Sequence, residues 1–184
     1  MKPLFLTLLF IGIFSLGYGQ IFENKGPENM PFNKETKEFH YTETIIMDSI
    51  STRQIHKRAM RWFDVFYTNP KSVIKGQTDT TIIGKYHFNL FSETSGTKNT
   101  VGFCHYTITI TCTNDAYTYD ITRINEKANS YKGIEKWLEA KNKKEEKYNE
   151  MLFVQVSNHF KLLTDHLKEC MNTPTNIALP KVSY

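Results

Sequence analysis

Six histidines, three cysteines and a scatter of carboxylates are the side chains through which this 184-residue chain could perform acid–base, nucleophilic or metal chemistry. The histidines are His40, His56, His87, His105, His159 and His166. None stands in an H-x-x-x-H or H-E-x-x-H arrangement, the spacing that sets two imidazoles on one helical face around a metal. His159 and His166 share an azimuth on a helix but stand about 10.5 Å apart, too far for one ion to bridge. His87 and His105 lie in two alternating segments that adjacent strands would bring side by side on an outer face. Any zinc site there would be weak, and no metal is expected. Cys104 and His105 are neighbours in sequence, but strand neighbours point to opposite faces, so they form no nucleophile–base pair. G-x-S-x-G, P-loop and dinucleotide-binding fingerprints are absent. Glu93, Asp115 and Asp120 are acids without a visible partner. The sequence shows no catalytic constellation, and the expectation is a protein without enzymatic activity or cofactor.

Cys104 and Cys112 fall on one strand, about 27 Å apart at ~3.3 Å per residue and beyond disulfide reach. A bridge would therefore need Cys170 with one of them. Three buried thiols acting as small apolar residues is the simpler expectation. The chain opens MKPLFLTLLFIGIFSLGYGQ. Lys2, the apolar run from Leu4 to Leu16 and Gly17-Tyr18-Gly19 have the layout of a secretory signal peptide over residues 1–19, cleaved before Gln20. The run is about 13 residues, short of the ~20 that cross a bilayer. No later run is long enough, so no transmembrane segment is expected after cleavage. The destination is the periplasm or the cell exterior.

The mature chain, about 165 residues, has the length of one domain with a real core. Loss of Lys2 leaves 22 basic against 19 acidic residues, about +3. So mild a charge on an exported chain does not imply a nucleic-acid partner. The 14% aromatic content suits a β-rich core.

These side chains need elements to hold them. Residues 20–37 carry Gly26, Pro27 and Pro31 with little periodicity and read as a flexible tether. The domain runs over 38–171. Phe39 to Met47 is a first strand, near an edge. Ser51 and Gln54 spell a capping box for a helix in which Ile55, Ala59, Trp62, Phe63 and Phe66 form one apolar stripe. It stops near Tyr67, because Pro70 disfavours helical geometry at Asn69. Four strands follow: a short one from Ser72 to Gln77, then Thr81–Phe91, Val101–Thr113 and Ala116–Ile124. Residues 92–99 read as a loop, and Asn114-Asp115 as a tight turn. Tyr86, Phe88, Tyr106 and Tyr119 share the inward side. Lys85, His87, Asn89, His105, Thr107, Thr109, Thr111, Thr118, Asp120 and Thr122 share the outward side. After Gly133 the period becomes helical, and Leu152, Val156, Phe160, Leu163, Leu167 and Cys170 make one stripe. Either one helix covers 134–171 or a break falls near Lys141 to Lys144. Residues 172–184 read as a loose C-terminal tail. The order strand, helix, four strands, long helix gives an α+β domain with helices on one face of an antiparallel sheet.

The early strand, "RAMRWFDVFY", "KSVIKGQTDTTIIGKYHF" and the pair "HYTITITCTNDAYTYDITRI" resemble an exported family of unknown function from Bacteroidetes with a TBP-like fold. Arg58, Trp62, Phe63, Val73-Ile74 and Ile83-Gly84-Lys85 carry the resemblance, over roughly residues 38–125. It implies a β-α-β4-α order and a curved antiparallel sheet. It implies no chemistry, because a fold hosts many functions. DNA binding is not carried over either: the outward face as read lacks the Arg and Lys that grip phosphates.

Two function classes follow. The first is a non-catalytic binding or interaction module of the cell envelope, using Lys85, His87, Asn89, His105, Thr107, Thr109, Thr111 and Asp120 to meet an unknown envelope protein. The alternative is a carrier of a small apolar ligand, with Trp62, Tyr86, Phe88, Tyr106, Tyr119 and Phe160 lining a cavity between sheet and long helix. Large inward side chains and few glycines favour a filled core.

Overall fold

A computed structural model of the chain describes residues 22–26, 28, 30–94, 96–128 and 130–179. The segment read as a signal peptide over 1–19 and the cleavage expected before Gln20 lie outside these residues.

Nine strands are described. β1 (Phe22–Lys25), β2 (Met30–Asn33) and β3 (Glu38–Phe39) pair antiparallel in a small sheet. β4 (Tyr41–Ile46), β5 (Ile74–Gln77), β6 (Thr81–Thr94), β7 (Thr97–Thr113) and β8 (Ala116–Lys127) make the main sheet in the order β4-β8-β7-β6-β5, and β9 (Tyr131–Gly133) pairs with β8. All of its pairings are antiparallel. The helices α1 (Thr52–Phe66) and α3 (Lys143–Asn172) pack together and against one face of this sheet. A short helix α2 (Pro70–Val73) and a 3₁₀ turn (Ile134–Glu139) complete the chain. Among the described residues no helix is long and apolar enough to cross a membrane.

Burial explains the layers. Ile55, Ala59, Trp62, Phe63 and Phe66 of α1 are fully buried, as are Leu152, Val156, Phe160, Leu163 and Leu167 of α3. They meet the inward residues of the strands, among them Ile82, Tyr106, Ile108, Ile110 and Ile121. Gly84 allows a close helix–sheet approach: a methyl group there would stand 2.6 Å from Phe63 Cε1. The β7–β8 turn also serves α1, since Asn114 Oδ1 accepts from the Thr52 amide (3.1 Å) and hydroxyl (2.8 Å).

Several readings of the sequence are corrected. The stretch read as a tether over 20–37 contains β1 and β2. Met30 and Phe32 are buried, Phe32 meets Phe39 edge-on at 5.3 Å, and Phe39 meets Phe153 at 5.6 Å. Asn33 Oδ1 closes the turn to β3 by accepting from the Glu35 and Thr36 amides. The first strand is accordingly split, Phe39 in the small sheet and Tyr41–Ile46 at the edge of the main one. Within the stretch read as a loop over 92–99, residues 92–94 and 97–99 are paired strand instead, with Ser92 opposite Asn99 and Thr94 opposite Thr97. Gly96 adopts a φ of 79°, which only glycine takes readily. The strand expected over 72–77 begins as a helical turn, with Pro70 in its first turn and the Asn69 side chain accepting from Ser72 N.

The C-terminal region shows the break rather than one helix. Asn142 caps α3 by accepting from the Lys144 and Glu145 amides. The stretch read as a loose tail is pinned over its described part. Arg61 donates to the carbonyls of Cys170 (2.8 Å), Pro174 (2.7 Å), Ile177 (3.1 Å) and Thr173, and Arg58 donates to Met171 O (2.6 Å). Two arginines of α1 thus take up carbonyls that the end of α3 leaves free.

Candidate functional site

The outward residues of the sheet come together as a polar lattice on the face that carries no helix. Register places Lys85 opposite Thr107, His87 opposite His105 and Asn89 opposite Phe103. Across the next seam Thr107 faces Thr122, Thr109 faces Asp120 and Thr111 faces Thr118. Lys85, His87 and Asn89 are exposed, Thr109, Thr111, Thr118 and Thr122 are half-buried, and Thr107 lies deepest at 9% exposure. Asp120 is engaged: its Oδ1 lies 2.9 Å from His40 Nε2, and this hydrogen bond holds the carboxyl below its usual range.

At one end the lattice becomes a groove of about 560 Å³. Lys75 of β5, Lys85, Tyr86 and His87 of β6, His105 and Tyr106 of β7, Arg123 and Asn125 of β8 and Tyr131 of β9 line it together with Ser72 and Val73, and the lining holds no carboxylate. The His87 and His105 rings stack at 4.9 Å. Tyr131 meets His105 edge-on at 5.2 Å, and Phe103 meets His87 at 5.3 Å. Lys127 Nζ stands 4.9 Å from the centre of the Tyr131 ring. Partial burial, with His87 and Lys127 nearby, pushes the His105 imidazole below its ordinary pKa.

Arg123, Asn125, Lys127, Lys75 and Tyr131 are the residues that sequence reasoning missed. Strict alternation from Tyr117, Tyr119 and Ile121 would send Arg123, Asn125 and Lys127 inward. Instead the pairing slips between His105 and Thr107, where Thr107 faces Thr122 but His105 faces Asn125. This is a β-bulge, and it reverses the parity of everything after it. Ile124 turns inward and is 4% exposed. Glu126 also turns inward, where it accepts from Trp137 Nε1 at 2.9 Å. Arg123 takes a φ of 53°, a left-handed conformation that costs a non-glycine residue about 1 kcal/mol. Asn125 Nδ2 steadies the bulge by donating to Arg123 O at 2.7 Å. The signal in the sequence was the spacing from Ile121 to Ile124, three residues where a flat strand has two. The reading that the outward face lacks Arg and Lys is therefore corrected.

The inward candidates occupy a different environment. Trp62, Tyr106 and Phe160 are essentially solvent-free. Trp62 packs on Phe63 at 4.8 Å and Phe66 at 5.1 Å; Phe160 meets Tyr106 at 5.2 Å and Phe88 at 6.3 Å. Tyr86 meets Tyr67 at 4.9 Å, and the Tyr67 and Tyr106 hydroxyls are 3.1 Å apart. Tyr119 lies apart from these rings and donates to Glu43 at 2.9 Å. Trp62, Tyr106 and Phe160 contact protein where a ligand would have to sit, whereas Tyr86 and Phe88 are half-buried and border a surface cleft of about 690 Å³ shared with Asn89, Lys98, Gln155 and His159.

The other titratable residues are dispersed. His159 stacks on Phe88 at 3.8 Å, reaches the Tyr106 hydroxyl at 3.4 Å, and is pushed by burial to a pKa of about 3. His166 lies against Phe66. Cys104 is buried on the inward face while His105 faces outward. No group of three or more His, Cys, Asp or Glu that could hold a metal occurs among the described residues.

A fold of this layout, with this stretch at its centre, can be set beside known proteins. Residues 41–127 match the family DUF4468, a domain of unknown function with TBP-like fold. The DUF4468 stretch runs from β4 through the bulged β8, so the open sheet face lies almost wholly within it. Two solved structures share the fold. A DUF4468 family protein from Bacteroides ovatus aligns at 14% identity and a TM-score of 0.54, covering 77% of this chain and 90% of the other. A TBP-like protein from Parabacteroides distasonis aligns at 17% identity and a TM-score of 0.52, covering 71% and 93%. At such identities the likeness concerns the fold alone. No curated protein matches this chain.

Proposed function

We propose that this protein is an exported, non-catalytic binding module of the cell envelope, periplasmic or extracellular, whose partner docks on the open face of the main sheet. One contrast carries the reading. The helix side is filled by interlocked rings, whereas the opposite side presents exposed, chemically varied side chains across β5 to β9 in one concave surface. A carrier would need an apolar cavity of at least ~300 Å³; Trp62, Tyr106 and Phe160 are buried in packed rings, and the surface cleft that Tyr86 and Phe88 border is lined also by the polar Asn89, Lys98, Gln155 and Asn158.

The test is in-cell photocrosslinking in the organism that makes the protein. A crosslinking residue at Thr109 or Asn89, on the sheet face, is expected to trap a discrete envelope partner. The same residue at Glu146 or Glu150, exposed on α3, is expected to trap none. Equal products from both sides would refute the assignment of the face. Native and denaturing mass spectra of the purified chain test the carrier alternative: an apolar species present only natively would establish it. N-terminal sequencing of the envelope fraction should begin at Gln20.

A further inference from the structure

The groove on the open face has a chemistry narrower than the face as a whole. Its lining holds three full cations and two imidazoles and no carboxylate. Lys75, Lys85 and Arg123 are exposed, and none is ion-paired among the described residues. Uncompensated like charges gathered in a concave surface raise its potential and draw in anions. Their convergence does not follow from β-sheet regularity: Arg123 reaches this face only through a bulge held in a left-handed conformation, and bulges recur where a side chain is re-aimed at a site. Asn125, Tyr131 and the imidazole pair add neutral hydrogen-bonding groups around the cations.

We propose that this groove is a binding site for a multivalent phosphate-type oxyanion carried on a small soluble molecule, gripped by Lys75, Lys85 and Arg123 with His87, His105 and Asn125 as hydrogen-bonding partners. The inference rests on the reading of the sheet face as the docking surface and specifies what part of that face recognises. Arg123 offers a planar fork to two oxygens, while the lysines act as point charges. At about 560 Å³ the groove exceeds the size of one phosphate, leaving room for the group that bears it.

The test uses inorganic pyrophosphate as the probe on the mature chain, by calorimetry and by NMR of the imidazole protons. Saturable binding is expected, with the His87 and His105 signals shifting. Lys85→Gln and Arg123→Gln should each weaken it at least tenfold, whereas Lys144→Gln on α3 should leave it unchanged. Both groove residues are exposed, so these variants should keep the wild-type thermal midpoint; a variant that does not is replaced by Lys75→Gln. No saturable binding, or equal weakening by the Lys144 variant, would overturn the proposal. So would binding to phosphatidylglycerol vesicles without binding to pyrophosphate, which would point to a lipid surface. If the Thr109 crosslinks persist while pyrophosphate fails, the oxyanion site falls and the docking face stands. If both fail, the reading of the face falls with it.

Discussion

Gly84→Ala is expected to destabilise the protein, although alanine suits a strand better than glycine. An ideal Cβ at this position would lie 2.6 Å from Phe63 Cε1, 3.1 Å from its Cζ and 3.2 Å from Ile108 Cγ2. Non-bonded carbons settle at about 3.5–4.0 Å, so the Phe63 ring must retreat by roughly 1 Å. It has nowhere to go. Phe63 is fully buried, meets Trp62 at 4.8 Å and stacks on Tyr67 at 5.6 Å, and the Tyr67 hydroxyl is held to that of Tyr106. Overpacking of this kind costs about 1–3 kcal/mol. Replacing glycine in a strand returns about 0.5–1 kcal/mol of chain entropy. The net loss is about 0–2.5 kcal/mol, centred on about 1 kcal/mol, which lowers the thermal midpoint by roughly 2–4 °C for a domain of this size. Thermal and urea unfolding followed by tryptophan fluorescence read it directly. A double-mutant cycle gives the cause: in a Phe63→Leu background, where the offending ring edge is gone, Gly84→Ala should cost much less. A Gly84→Ala protein as stable as the wild type, or costs that simply add in the cycle, would refute the argument.

Arg61→Gln should cost about 2–3 kcal/mol, since one guanidinium serves four carbonyls at the end of α3. Hydrogen exchange over residues 173–177 should quicken, and unchanged exchange would contradict the clamp. His159 has a folded pKa of about 3 because burial disfavours its cation, against about 6.5 unfolded. Its contribution is therefore intact above pH 6.5 and is lost as pH falls towards 3, at no more than about 1.4 kcal/mol per pH unit. His159→Gln should flatten the urea midpoint between pH 6.5 and 4.5 relative to wild type. The Asp120 carboxyl, held low by His40, also loses stability in acid but does so equally in both proteins, so parallel slopes would argue against His159. Burial raises the Cys104 and Cys170 thiols and lifts Cys112 to about 11. No thiol should react with Ellman's reagent in the native protein, and all three should react in denaturant; a denatured titre below three would reveal a bridge.

Periodicity made the main elements legible because burial enforces it. The stripe of Ile55, Ala59, Trp62, Phe63 and Phe66 could only be a one-faced helix, and the alternation of Cys104, Tyr106, Ile108, Ile110 and Cys112 could only be a strand with one buried side. What escaped was structure held by single contacts. Met30 and Phe32 are too few to outweigh the glycines and prolines around them, and their burial depends on Phe39 and Phe153, distant in sequence. Residues 92–94 and 97–99 are polar, yet they continue the pairing of two long strands and need no core of their own. The described part of the tail is held by Arg61, a residue more than a hundred positions upstream, and no local pattern announces such a bond. For the candidate site, Lys85, His87 and His105 could be read from alternation, while the cations around them could not.

That last failure has one cause, and it shows how narrowly the surface chemistry is decided. If the same residues ran as a regular strand with no bulge, β8 beyond Thr122 would invert. Arg123, Asn125 and Lys127 would face Trp137 and the helices, and Ile124 and Glu126 would face solvent. The core would gain charges it cannot solvate and lose an apolar side chain, and Trp137 would lose the Glu126 oxygen that accepts its indole proton. The same bulge that keeps the core apolar therefore makes the open face cationic. Its backbone strain of about 1 kcal/mol is small beside either loss. Core packing alone is enough to retain the bulge, so a binding role is not needed to explain its presence. What packing does not explain is the identity of the bulge residue: any side chain could occupy the left-handed position, and glycine or asparagine would do so with less strain. An arginine there, exposed and aimed into a groove without carboxylates, is the part of the arrangement that only the open face can use.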